Sequence, residues 1–182
     1  MYSDVIFAGS GGQGVLFMGK LLAYAAMEGG REVTWFPYYG AERRGGISFC
    51  TVVISSEEIS SPVVAYPQSV VVLDRFTWEH FQPLVKPGGL LIINQSLVEK
   101  TDDRFDLEIY RFPFTHLAQQ LGDPRIANMI ALGTFVVKTQ VVPTNILQLA
   151  LKKISENRQI YQKNLQAIEM GIDLMKRRGA NL

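Results

Sequence analysis

The sequence predicts an α/β fold: a Rossmann-like three-layer domain with a mostly parallel sheet and a helical C-terminal third. Three observations carry this. Between Ile6 and Gly19 a short apolar strand runs straight into a cluster of glycines that opens an amphipathic helix. β-branched and apolar runs then alternate with helical spacing along the chain. From Asp123 onward the apolar residues recur only at helical intervals. Strands alternating with helices imply parallel pairing with helices on both faces.

The first strand covers residues 4–8. In the turn that follows, Gly9, Gly11 and Gly14 fit the G-x-G-x-x-G spacing of a dinucleotide-binding turn, and Gly12 is extra. So tight a strand-to-helix turn needs positive φ or a close backbone approach, which glycine supplies at least cost. We expect Gly11 to be one such position. The N–H groups at the helix start offer an anion site; a tight turn that binds nothing fits the same spacing. The helix carries Val15, Met18, Leu21, Leu22, Ala25 and Ala26 on one stripe and stops at Gly29-Gly30. Residues 32–36 form the second strand, followed by a polar and aromatic loop over 37–46. Residues 47–55 are apolar on both faces, as in a strand covered on both sides, and 59–65 read as a short neighbour of it. Residues 70–74 form a buried strand ending in Asp74. Gly88-Gly89 introduces the strand at 90–94, and 107–112 is the last.

In the C-terminal third, Asp123-Pro124 is a cap and first-turn pair opening a helix through Ala127, Ile130, Ala131 and Phe135. Pro143-Thr144 starts the next, with Leu147, Leu151 and Ile154. The last carries Tyr161, Leu165, Ile168, Ile172 and Met175 at alternating steps of four and three. It closes on Lys176-Arg177-Arg178-Gly179, cations on the negative helix end before a glycine stop. That stripe packs on the body of the domain or meets a partner helix. No repeat or linker divides the chain, so residues 1–182 read as one domain.

Composition narrows the function. A chain of 182 residues buries roughly 70% of its unfolded surface, enough for one substantial core. A formal charge of +1 argues against capture of nucleic acid or of an anionic membrane. No apolar run reaches spanning length and the N-terminus lacks a basic-then-apolar leader, so the expected location is the cytoplasm. Cys50 is the single cysteine. It can form no internal disulfide, and an iron–sulfur cluster held by this chain alone is excluded because such clusters need about four thiolates.

A nicotinamide dinucleotide site wants an acid at the end of the second strand, roughly 20 residues past the glycines, for the ribose hydroxyls. Here that strand ends in Trp35-Phe36-Pro37-Tyr38-Tyr39, with Glu32 before it and Glu42 well past it. The ribose acid is missing, and no Gly-Lys-Ser/Thr follows the glycines to make a Walker site. The next stretch is more distinctive: Tyr39-Gly40-Ala41-Glu42-Arg43-Arg44-Gly45-Gly46.

Three segments taken together resemble the gamma subunit of the 2-oxoacid:ferredoxin (acceptor) oxidoreductases. They are Gly9-Ser10-Gly11-Gly12-Gln13-Gly14, the aromatic-Gly-x-Glu-x-Arg-Gly-Gly loop, and Ala127-Asn128-Met129-Ile130-Ala131-Leu132-Gly133. The resemblance covers essentially the whole chain and is greatest to the free-standing subunit of the 2-oxoglutarate type. It implies a cytoplasmic complex that oxidatively decarboxylates a 2-oxoacid, joins the acyl group to coenzyme A and passes electrons to ferredoxin. Thiamine diphosphate with Mg, and iron–sulfur clusters, are then expected on the alpha, beta and delta partners. This chain is expected to hold no cofactor and to be inactive alone.

On this reading the ligand-binding or subunit-interface residues are Gly9, Gly11, Gly12, Gln13, Gly14, Tyr39, Glu42, Arg43, Arg44 and Asn128, and none is catalytic. The loop sits where α/β sheets bind ligands and partners. Its arginines suit phosphate or carboxylate, and its tyrosines suit a part-wet interface. Contact with a partner subunit is the first reading, a clamp on coenzyme A the second, and a solvated charged loop the third. Two other classes stay open for the chain: a stand-alone NAD(P)- or nucleotide-binding protein, and a pure interaction module.

His80 and His116 have no second ligand at metal spacing and read as structural. Cys50 reads as a buried small apolar residue. Asp74 reads as a helix cap in preference to a crevice residue. Asn128, in the first turn of its helix, bonds either a neighbouring loop or a ligand.

Overall fold

The computed structural model describes residues 1–39, 46–99 and 104–179. Among them, β1 (Tyr2–Ser10), β2 (Glu32–Tyr39), β3 (Ile47–Ser55), β4 (Ser69–Val72), β5 (Leu90–Asn94) and β6 (Glu108–Phe112) form one sheet. Its order is β2-β3-β1-β4-β5-β6. The helices are α1 (Val15–Glu28), α2 (Arg75–Phe81), α3 (Phe114–Gln120), α4 (Ala127–Thr139), α5 (Thr144–Ile154) and α6 (Arg158–Gly179). The α/β class and the helical C-terminal third are as the sequence implies. The short helix α3 has no counterpart in that reading.

The sheet is more mixed than expected. β1, β4, β5 and β6 pair in parallel, but β3 is antiparallel to both β1 and β2. The cause is local. Parallel neighbours need a crossover of a dozen or more residues, and the stretch from Tyr39 to Ile47 is too short for one. The chain therefore doubles back, and β3 inserts between β1 and β2.

Two further expectations change. Residues 59–65 form no strand: both edges of β3 are already taken, by β1 and β2. The second strand also continues past 36 to Tyr39, because β2 is an edge strand and an edge tolerates the missing N–H of Pro37.

Alternation along β1 separates two cores. Val5 and Phe7 face α1 and α4, while Ile6 and Ala8 face α2. The three layers are unequal, because α2 is the helix on one face and the others crowd the opposite face. Helix α4 is buried from Ala127 to Val136. On the sheet side Phe135 meets the ring of Phe7 edge-on at 5.5 Å. On the far side α4 meets α6, with Gly133 against the carbonyl of Ile168 and Gly171 against that of Ile130. Ile168, Ile172 and Met175 of α6 are thus core residues of the chain itself. Each fully buried side chain of this size contributes about 1.5–3 kcal/mol.

Candidate functional site

The strand order reverses between β1 and β4. From β1 the chain moves towards β2 and β3, and from β4 towards β5 and β6. Helix α1 leaves on one face and α2 on the other, so the C-terminal ends of β1 and β4 diverge into the crevice where such sheets bind ligands. The glycine turn forms one wall. Gly12 and Gly14 have φ 97° and 73°, so the left-handed backbone falls there and not at Gly11. The Gly11 N–H instead donates to the Gly46 carbonyl at 3.1 Å, which fastens the turn to the approach of β3. Gln13 folds back, its Oε1 accepting from the Ser10 N–H at 2.7 Å. A side chain at Gly9 would have to displace it, since a Cβ there would lie 2.5 Å from Gln13 Oε1.

Asp74 is both cap and crevice residue. Its Oδ1 accepts from the Thr77 N–H at 2.9 Å at the start of α2, and its Oδ2 accepts from Ser10 Oγ at 2.7 Å. One carboxylate thereby ties the turn after β1 to the turn after β4. The sequence reading treated the two roles as alternatives and left Ser10 out. Asn94, absent from that reading too, closes β5. Its Nδ2 donates to the Leu73 carbonyl and to Thr115 Oγ1, both at 2.9 Å. The signal in the sequence was an amide ending a run of buried apolar residues.

Asn128 bonds the neighbouring loop: its Nδ2 donates to the Gly14 carbonyl at 3.1 Å. A carbonyl only accepts, which fixes the orientation of the amide. Gly9, Gly11, Gly12, Gln13, Gly14 and Asn128 therefore form one constellation. Tyr39 ends β2 on the same side of the sheet and is 72% exposed. Glu42, Arg43 and Arg44 lie outside the described residues.

Cys50 is fully buried; its Sγ donates to the Val15 carbonyl at 3.3 Å. Burial pushes the thiol up to about 12 against a partial offset from Trp35, so it is unreactive packing. His80 stands edge-on to Phe81 at 4.7 Å. Among the described residues, no three His, Cys, Asp or Glu side chains converge on a metal position.

The family model for pyruvate ferredoxin/flavodoxin oxidoreductase matches residues 4–174. The chain belongs to this family. It is 32% identical to the 2-oxoglutarate synthase subunit KorC of Methanocaldococcus jannaschii, covering 97% of this chain and 95% of that one. It is 34% identical to the ketoisovalerate oxidoreductase subunit VorA of Methanothermobacter marburgensis over 93% of its length, but spans only 36% of that relative. The keto/oxoacid ferredoxin oxidoreductase gamma subunit from Geobacter sulfurreducens superimposes with TM-score 0.84 and 26% identity, over 96% of this chain and 99% of that one. The family expected from the glycine turn, the aromatic loop and the 127–133 helix is thus the one found. Within it the substrate differs from relative to relative.

Proposed function

We propose that this chain is the gamma subunit of a cytoplasmic 2-oxoacid:ferredoxin oxidoreductase of the 2-oxoglutarate type. The proposed complex decarboxylates its 2-oxoacid oxidatively, forms the acyl-coenzyme A and reduces ferredoxin. Thiamine diphosphate with magnesium, and the iron–sulfur clusters, belong to its alpha, beta and delta subunits. The end-to-end match with KorC supports the 2-oxoglutarate type.

The observation that carries a subunit role is the edge strand. Phe36, Tyr38 and Tyr39 of β2 are exposed, and β2 runs into the side of the sheet where the glycine turn lies. An exposed aromatic edge invites association unless a partner covers it. The constellation of Gly9, Gly11, Gly12, Gln13, Gly14 and Asn128, with Tyr39 at the same end of the sheet, therefore faces a partner subunit in the first place and coenzyme A in the second.

Affinity purification of the tagged chain from its native cell tests this. It should bring down chains carrying thiamine diphosphate and iron–sulfur absorbance. The purified assembly should reduce a ferredoxin-type acceptor with 2-oxoglutarate and coenzyme A faster than with pyruvate or 2-oxoisovalerate. Tyr39→Ala should leave the isolated fold within about 0.5 kcal/mol of wild type and weaken assembly. Recovery of the chain alone, or with partners lacking those cofactors, overturns the subunit reading; preference for another 2-oxoacid overturns only the type.

A further inference from the structure

Asn128, which touches the glycine turn, also lines a groove of about 500 Å³ between the turn before α4 and the first turns of α6. Arg125 and Lys163, the amides of Gln159 and Asn164, and the apolar Ile126 and Ile160 share its walls. The volume falls within the usual range of small-molecule sites. The two basic residues are exposed and share one acid. Asp123 accepts from the backbone N–H of Arg125 at 3.1 Å, from its Nε at 2.9 Å and from its Nη2 at 2.8 Å. Lys163 Nζ stands 3.6 Å from the same carboxylate.

Only 9% of the Asp123 side chain is exposed, against 82% for Arg125. The guanidinium is therefore clamped along one edge while Nη1 and the rest of Nη2 face outward. A guanidinium presents five donors in a fixed fork. Holding it in place beforehand removes most of the ordering cost a ligand would otherwise meet. The hydrogen bonds from Arg125 also keep the Asp123 carboxyl well below the usual range, so it stays charged and the clamp stays closed at neutral pH. Two cations against one acid leave the groove positive. A guanidinium fork beside an ammonium offers donors enough for the several oxygens of a tetrahedral phosphate.

We propose that this groove binds a phosphate-bearing small molecule. Arg125 and Lys163 take the phosphate, Asp123 is the positioning residue for Arg125, and Ile126 and Ile160 flank an organic part whose polar edge meets Gln159 and Asn164. The inference rests on the groove alone, so its failure leaves the subunit reading untouched, and the reverse holds.

Calorimetric titration of the full chain at low salt with ADP, and separately with inorganic pyrophosphate, tests it. Saturable binding is expected, with the dissociation constant raised about tenfold by Arg125→Gln and several-fold by Lys163→Gln. Lys163 is half exposed, so Lys163→Gln should melt with the wild type; Arg125→Gln gives up two side-chain hydrogen bonds to Asp123, so its binding is measured well below its own melting temperature. Tighter binding of ADP than of pyrophosphate marks a nucleotide source, and equal affinity a free phosphate. Asp123→Asn separates alignment from charge: plain electrostatics predicts tighter binding on losing the acid, whereas a lost clamp predicts weaker binding. No saturable binding of either probe below about 5 mM, or binding indifferent to Arg125→Gln, overturns the site; tighter binding in Asp123→Asn overturns the positioning role.

Discussion

At Gly14 the backbone takes φ 73° and ψ 20°, and a Cβ there would run into Nδ2 of Asn128. Gly12 is equally left-handed, at φ 97°, but a Cβ there would meet open space. The pair separates backbone strain from steric conflict. Gly12→Ala should cost about 1 kcal/mol, the ordinary penalty of a side chain in left-handed backbone. Gly14→Ala should cost about 2–3 kcal/mol, because the Asn128 amide must move as well and its hydrogen bond is lost. In an Asn128→Ala background the conflict disappears, and Gly14→Ala should fall to the cost of Gly12→Ala. Urea denaturation of the four variants measures this. Equal costs for both glycines in the wild-type background would mean that Asn128 does not pin the turn.

Between elements, glycines let two helices pack backbone to backbone where α4 crosses α6. Gly171 sits in the interior of a long helix, where alanine is intrinsically better by about 1 kcal/mol. Packing pulls the other way, since a Cβ at Gly171 would enter the space of the Ile130 carbonyl. Overpacking of backbone against backbone typically costs about 1–3 kcal/mol. The sign of the change in Gly171→Ala thus decides which effect wins. We expect a net loss of about 1–2 kcal/mol, seen as a lower denaturation midpoint with unchanged slope. A stabilised variant would show that the two helices can separate without penalty. Sequence spacing alone left open whether the α6 stripe met a partner helix; α4 occupies that face.

At the scale of the molecule, topology bears on the ligand. In a dinucleotide-binding sheet the second strand lies beside the first, so that its last residue reaches the ribose. Here β3 separates them, which puts the end of β2 about 10 Å from β1, two strand spacings where the dinucleotide fold has one. The missing acid and the inserted strand are separate obstacles, and an acid placed at Tyr39 would not restore the geometry. NAD at millimolar concentration should therefore leave the melting temperature of both the wild type and Tyr39→Asp unchanged. A ligand at about 100 times its dissociation constant would add roughly 2.7 kcal/mol of stability, well within detection. A clear upward shift in either protein would restore the dinucleotide reading.

The class of fold, most of the elements and the family are legible in the chain before it folds. Each of these rests on local pattern: glycine punctuation, the periods of strand and helix, and three short motifs. Gly9, Gly11, Gly12, Gln13, Gly14 and Asn128 are candidates the sequence offers one by one. Folding alone brings Asn128 back to Gly14, Ser10 to Asp74, and the turn of Arg125 beside the start of α6. Those contacts join residues up to 114 positions apart, and neither propensity nor period carries information over such a distance. The same limit explains the sheet. Whether β3 pairs beside β1 or elsewhere depends on which edges remain free once the chain has turned back, a property of the assembled molecule and not of any one segment.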